Sequence, residues 1–190
     1  MALTRLTIDG YGQIELNNVA FRRDGRIEAQ CAPDTTDFAT AKLENGMLLA
    51  VDNVNRKVLF ADDSTAPYPI ALNYSSEHIY DERTPGLKNF YLNGNKEDFY
   101  PRLGYLAVGD KFTTNCVGYD SAVDTDWSTE SAFISALGSI GTTKLYGGVS
   151  DTGVIKISAT APEWGPKLLV TKKTTMPDGT LGVKFQVIAD

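Results

Sequence analysis

Short runs in which apolar and polar residues alternate dominate the first thirty residues. Three pairs of apolar residues carry the alternation: Leu6 and Ile8, Ile14 and Leu16, and Ile27 and Ala29. Asp-Gly dipeptides at 9–10 and 24–25 separate these runs. A period of two that is interrupted by Asp-Gly is typical of β-hairpins. The pattern therefore predicts successive antiparallel strands.

Similar strand patterns continue along the chain. Residues 47–51 and 57–60 are predicted to form the arms of a hairpin around Asp52-Asn53. Pro67 and Pro69 favour extended backbone in the stretch that follows. Two further strands are predicted on either side of Gly109-Asp110. The last third contains three strand segments separated by turns, at 144–160, 167–179 and 181–190, and Pro177-Asp178-Gly179 is a strong turn signal.

One helix is predicted, over residues 127–137. Asp126 or Ser128 would provide its N-cap, and Gly138 would end it. Its apolar residues fall on one face, as expected of a helix that covers a sheet: Phe133, Ile134 and Leu137. The predicted fold class is therefore mainly β, an antiparallel β-sandwich or barrel with one short helix.

The least regular stretch is residues 61–101, which contains four of the eight prolines. A long connection without regular structure is uncommon inside a compact domain unless it has a role. We predict an arm or insertion there, within a single domain at 1–190. A division into two lobes, 1–60 and 102–190, is the alternative.

Charge and composition narrow the range of partners. The net charge is −6, and the longest basic runs are Arg22-Arg23 and Lys172-Lys173. Nucleic-acid binding depends on clustered Lys and Arg, so no nucleic-acid partner is expected. No apolar run approaches the length of a membrane span, and the first ten residues lack a signal-peptide pattern, so we expect synthesis in a cytosol and no membrane partner. Cys31 and Cys116 are expected to be buried, reduced thiols.

The only histidine, His78, lies in the polar stretch YSSEHIYDERTPG at 74–86, where a catalytic or metal site is the alternative to a polar loop. A metal ion needs several ligands that converge, and Asp81 and Glu82 would point to opposite sides of a strand. Ser75 and Ser76 lack the sequence context of a catalytic serine. We therefore expect no enzymatic activity, no cofactor and no metal, and we interpret this stretch as a contact segment.

Two acidic motifs have alternative interpretations. The Asp-Thr-Gly sequence at 151–153 matches aspartic proteases, but alternation on its C-terminal side favours a hairpin turn. Asp120, Asp124 and Asp126 lack the spacing of an EF-hand loop. A weak structural calcium site remains the alternative for these aspartates.

Three stretches of the chain resemble auxiliary head proteins of tailed bacteriophages, the decoration or cement proteins. They are ALTRLTIDGYGQIELNNVAFRRDGRIEAQCA at 2–32, EHIYDERTPGLKNFYL at 77–92 and PRLGYLAVGDKFTTN at 101–115. The resemblance implies a β-rich, often trimeric structural protein that sits on the outside of a capsid. Its partners would be the major capsid protein and further copies of itself, and its location the virion, after synthesis in the host cytoplasm. The resemblance implies no functional residues, because the class shares no site motif.

Two other functions stay open. The chain could be a head–tail connector or tail-tube component, which would form rings or tubes by itself. A carbohydrate-binding module on a virion surface is the second alternative, because aromatic side chains such as Tyr91, Phe99, Tyr100 and Tyr105 stack on sugars or on partner proteins.

The coat-protein contacts are expected in residues 1–12 and 61–101. We predict ten contact residues, chosen for their aromatic or charged side chains: Tyr74, His78, Tyr80, Asp81, Glu82, Arg83, Phe90, Tyr91, Phe99 and Tyr100. Because histidine titrates near neutral pH, the contact made by His78 would be pH-sensitive.

Overall fold

Two β-sheets make up most of the protein. The computed structural model of the chain describes residues 3–8, 11–62, 65, 67–75, 100–124 and 126–189. Strands account for 37% of the described residues and helices for 9%. The prediction of a mainly β fold is confirmed.

The larger sheet has eight strands and the smaller sheet six. The order in the larger sheet is β1 (Thr4–Arg5), β10 (Val117–Tyr119), β12 (Ile155–Ser158), β11 (Tyr146–Gly148), β13 (Lys167–Thr175), β14 (Leu181–Ala189), β9 (Lys111–Thr114) and β2 (Ile14–Asn18). The order in the smaller sheet is β3 (Ile27–Glu28), β8 (Leu103–Gly104), β7 (Ile70–Asn73), β5 (Leu48–Asp52), β6 (Lys57–Phe60) and β4 (Ala32–Pro33). Neighbouring strands are antiparallel except for β10 with β12 and β4 with β6, which are parallel.

The main hydrophobic core lies on one face of the larger sheet. Alternate residues of β14 point into it, and Phe185 packs against Phe112 of β9 with ring centroids 5.5 Å apart. Leu48 and Leu72 of the smaller sheet belong to the same core. The two sheets therefore form a β-sandwich-like fold, in which period-two strands bury one face each.

A second core covers the opposite face of the smaller sheet. Leu49 and Val51 of β5 contribute to it, and Phe38 and Leu43 approach from the segment between β4 and β5. Because both faces of the sheet are covered, all five residues of β5 are buried. This explains why the sequence of β5 is apolar throughout most of its length instead of alternating.

The described residues contain two helices, α1 (Phe21–Asp24) and α2 (Glu130–Gly138). The predicted helix corresponds to α2, and Phe133 of α2 stacks on Tyr119 with a centroid distance of 4.6 Å. The predicted N-caps were wrong, because Thr129 accepts the capping hydrogen bond, at 3.3 Å from the backbone nitrogen of Ala132. The helix also includes Gly138 and ends at Ser139.

Several predicted turns are confirmed. Strands β5 and β6 form the hairpin expected around Asp52-Asn53. The Asp-Thr-Gly sequence at 151–153 lies in the turn between β11 and β12, which pair antiparallel. The Pro-Asp-Gly sequence at 177–179 joins the nine-residue strands β13 and β14.

The hairpin predicted around Asp24-Gly25 was wrong. Gly25 is the left-handed C-cap of α1, with φ of 69°, so the chain passes from β2 in the larger sheet to β3 in the smaller one. Gly109-Asp110 also connects different sheets, because β8 belongs to the smaller sheet and β9 to the larger. The Asp-Gly pair at 9–10 lies outside the described residues.

Part of the predicted arm is sheet. Residues 70–73 form β7, which pairs with both β5 and β8, so the stretch before residue 76 is not a separate insertion. The remainder of the predicted arm, 76–99, lies outside the described residues. Strands from residues 1–60 occur in both sheets, and so do strands from residues 102–190. Within the predicted N-terminal contact segment, Thr4 and Arg5 pair with β10 and Leu6 is buried.

Candidate functional site

Hydrogen bonds join the two described segments that flank residues 76–99. The backbone nitrogen of Tyr74 donates to the carbonyl oxygen of Arg102 at 3.0 Å, and that of Arg102 donates to Ser75 Oγ at 2.7 Å. Ser75 Oγ in turn donates to Asn73 Oδ1 at 2.6 Å. The end of the segment before 76–99 and the start of the segment after it are therefore hydrogen-bonded to each other, directly beyond the paired strands β7 and β8.

This base is itself buried and fixed to the smaller sheet. Asn73 and Ser75 are almost inaccessible to solvent, and Asn73 Nδ2 donates to the carbonyl oxygen of Glu44 at 2.8 Å. The buried side chains of Asn73 and Ser75 are both hydrogen-bonded, and this favours one geometry, because a rearrangement would leave these donors or acceptors unpaired. We call these four residues, Asn73, Tyr74, Ser75 and Arg102, the loop base.

Of the ten predicted contact residues, the structure describes two. Tyr74 is fully buried and packs against Phe21 at a centroid distance of 5.0 Å, so the prediction that it lies at a contact surface was wrong. Its aromatic ring stabilises the loop base instead. Tyr100 is 52% exposed and lies at the surface beside this base. The other eight lie outside the described residues: His78, Tyr80, Asp81, Glu82, Arg83, Phe90, Tyr91 and Phe99.

A second candidate site is a set of clefts around Trp164, which lies in the segment between β12 and β13. Two glycines allow this segment to sit close to the sheet. A Cβ at Gly148 would lie 2.8 Å from Pro162 Cβ, so only glycine permits this approach. Gly165 has φ of 70°, which turns the chain directly after Trp164 toward β13.

Trp164 lines three neighbouring clefts of about 350, 340 and 480 Å³. We call the first one the Trp164 cleft; its polar and aromatic lining consists of Tyr146, Lys156, Ser158, Thr160, Glu163 and Trp164. The second cleft adds three carboxylates, those of Asp62, Asp120 and Asp151. The third adds two aromatic rings, those of Tyr68 and Tyr105.

Among the described residues, carboxylates outnumber cations around Trp164. Lys156 pairs with Asp120 at 3.5 Å, and the carboxylates of Asp151 and Glu163 line the same clefts without a cationic partner in the described part of the chain. A backbone hydrogen bond from Ala122, together with Lys156, lowers the pKa of Asp120. The clefts therefore carry negative charge at neutral pH and disfavour anionic ligands.

The sequence analysis did not single out Trp164. A Pro-Glu-Trp-Gly-Pro run at 162–166 was the available signal, since two prolines and a glycine around a tryptophan are typical of a rigid loop that presents an aromatic ring. The aromatic residues that sequence analysis did emphasise lie mostly in 76–99. Of these, Tyr105 is half-buried and lines the third cleft.

The aspartates considered for calcium make structural hydrogen bonds. Asp120 Oδ1 accepts from the nitrogen of Ala122 at 3.0 Å, and Asp124 Oδ1 accepts from that of Ala159 at 3.1 Å. Asp126 is exposed in the turn before α2. Within the part of the chain that the structure describes, no group of three or more His, Cys, Asp or Glu side chains has a metal-binding arrangement.

A buried ion pair joins β1 to the segment before β5. Arg5 Nη1 donates to Glu44 Oε2, and Glu44 Oε1 accepts from the backbone nitrogen of Gly12 at 3.3 Å. Cys116 lies beside this pair, and burial raises the pKa of its thiol to about 12. Both cysteines are buried and free, which confirms the prediction of reduced thiols. A protonated thiol is unreactive, so this cluster is structural.

Comparisons of the chain with protein-family models, with curated proteins and with solved structures found no match. In the described ranges, no helix has the length and apolar character needed to cross a bilayer.

Proposed function

We propose that the chain is a non-enzymatic virion protein that binds the outside of a tailed-phage capsid and reinforces contacts between coat subunits. The observation that carries this proposal is the loop base. Its hydrogen bonds bring Tyr74 and Ser75 against Arg102, so the body of the protein presents the intervening 76–99 from one fixed point. The sequence resemblance to auxiliary head proteins supports the same proposal.

The composition of 76–99 fits a contact segment. It contains four aromatic residues, Tyr80, Phe90, Tyr91 and Phe99, and charged residues of both signs. Aromatic side chains bury a large area for a small loss of conformational entropy, and they dominate the energetics of many protein interfaces. Charged residues of both signs add specificity toward one partner surface.

The mechanism we propose is adhesion. The loop base fixes the two points at which 76–99 joins the body, so ordering these points costs no entropy on binding. A copy that contacts two coat subunits adds buried area across their boundary. Trimers would repeat this contact around a symmetry axis of the shell.

Shells assembled from the major capsid protein that the proposal requires as the partner provide the test. Shells mixed with the purified chain should bind it at saturating, symmetry-related sites, and they should then resist heat and low salt better than bare shells. Equal stability of bare and mixed shells would refute the cement role. Rings or tubes formed by the chain alone would support a connector or tail-tube role instead.

A further inference from the structure

We propose that the Trp164 cleft binds a neutral oligosaccharide, with the indole ring of Trp164 stacked on a sugar ring. The ring makes no hydrogen bond and no aromatic contact with the residues that the structure describes, although it is half-buried. The chain's other tryptophan, Trp127, is buried and packs against Phe133 at 5.4 Å. Trp127 therefore serves the core, whereas Trp164 is free to contact a ligand.

The polar groups beside Trp164 match the hydroxyl groups of a sugar. The hydroxyls of Tyr146 and Thr160 have no hydrogen-bond partner among the described residues, and each can donate and accept. The Glu163 carboxylate is exposed and accepts, and Lys156 donates. Sugar hydroxyls need donors and acceptors close together, next to an apolar surface for the C–H face of the ring.

The charge and size of the site narrow the ligand class. The excess of carboxylates around Trp164 disfavours phosphorylated or acidic sugars, so we assign a neutral one. The cleft volume of about 350 Å³ lies within the range typical of small-ligand sites, about 300–1,000 Å³. Because further clefts adjoin Trp164 on other sides, an extended chain of sugar units fits better than a single sugar.

This site is independent of the proposed capsid contact. The Trp164 cleft is built from β11, β12 and the segment after β12, whereas the loop base continues β7 and β8 of the smaller sheet. A capsid-bound copy with this site would give the particle a weak, repeated affinity for glycans. Either proposal can fail without the other.

The test uses the purified full chain and four hexasaccharides: maltohexaose, cellohexaose, chitohexaose and, as an acidic probe, hexagalacturonic acid. We expect isothermal titration calorimetry, which does not depend on the fluorescence of Trp164, to show saturable binding of at least one neutral probe and no binding of the acidic probe. Trp164→Ala should weaken binding at least about tenfold, because it removes the stacking surface. Val108→Ala, a change at an exposed apolar residue outside the cleft, should leave the affinity unchanged.

Folding of each variant is checked by near-UV circular dichroism, which reports on Trp127 in the core. Trp164→Phe keeps an aromatic face and should bind with intermediate affinity. Absence of binding of all three neutral probes up to millimolar concentration would overturn the proposal. Equal affinity of Trp164→Ala and the parent chain would also overturn it. Saturable binding of hexalysine that excludes the neutral probes would identify a cationic-peptide site instead and would also overturn it.

Discussion

Arg5 and Glu44 form the buried ion pair that holds strand β1 against the segment before β5. The side chain of Glu44 is almost fully buried, whereas that of Arg5 is 31% exposed. Removing one partner of such a pair leaves a charge without compensation in a poorly hydrated place. Removing one partner is therefore expected to lower the free energy of unfolding by more than the intact pair contributes to it.

We expect Arg5→Leu to lower the free energy of unfolding by about 2–4 kcal/mol, because it leaves the buried Glu44 carboxylate without a compensating positive charge. Adding Glu44→Gln should recover part of this loss, since a neutral amide oxygen still accepts from Gly12. Urea denaturation of the parent, both single variants and the double variant measures the coupling. Strictly additive losses would show that the pair is not coupled.

Cys116 gives the protein a dependence on alkaline pH. Burial raises its pKa from 9.0 to about 12, so between these values the unfolded chain loses the proton while the folded chain keeps it. Stability is then lost as pH rises above 9, by up to roughly 1 kcal/mol per pH unit for one thiol. Below pH 9 this residue has no effect on the pH dependence.

Cys116→Ala should flatten the fall in stability between pH 9 and pH 11, measured by urea denaturation at each pH. Cys31→Ala is the matched control, because burial raises the pKa of Cys31 less, to about 11. It should flatten the curve by a smaller amount. Parallel curves for the parent and Cys116→Ala would contradict the assignment of a buried, protonated thiol.

At the scale of elements, the sequence predicted strands well and their partners less well. The hairpin around Asp52-Asn53 and the one at 177–179 are local, and a turn sequence between two alternating runs is sufficient to predict them. Asp24-Gly25 has the same local signal but ends helix α1. Which sheet a strand joins depends on contacts distant in sequence, such as β1 with β10, and no local pattern encodes these.

The N-cap of α2 shows the same limit over a shorter distance. Three neighbouring residues, Asp126, Ser128 and Thr129, all have side chains that can cap a helix. Packing of Phe133 on Tyr119 sets where the helix begins, and this places Thr129 at the cap. The sequence therefore predicts the helix within a few residues but not its first turn.

Thr129→Ala should destabilise the protein by about 1 kcal/mol, because it removes the acceptor for the nitrogen of Ala132. Ser128→Ala is the matched control one residue earlier, and it should change stability by less than about 0.5 kcal/mol. Thermal unfolding followed by circular dichroism distinguishes the two variants. A larger effect of Ser128→Ala would place the cap where the sequence alone predicts it.

On the scale of the whole molecule, the two sheets enclose two hydrophobic cores. The loop base and the Trp164 cleft lie at different strands of this body. The sequence signal behind the proposed contact segment is composition, because aromatic and charged residues cluster in 76–99. It did not indicate that Tyr74 and Ser75 meet Arg102, since that contact spans 27 residues along the chain. It also did not indicate the Trp164 cleft, which is assembled from β11, β12 and the loop that follows.

The central claim is that the body presents 76–99 to a coat lattice. The most direct measurement is co-sedimentation of the chain with coat shells, comparing the parent with a variant in which three Gly and Ser residues replace 76–99. The loop base should close over this short linker, so the variant should remain folded but lose shell binding. Val54→Ser, a change at an exposed turn in the smaller sheet, is the control that should bind like the parent. Undiminished binding of the folded loop-replacement variant would contradict the account.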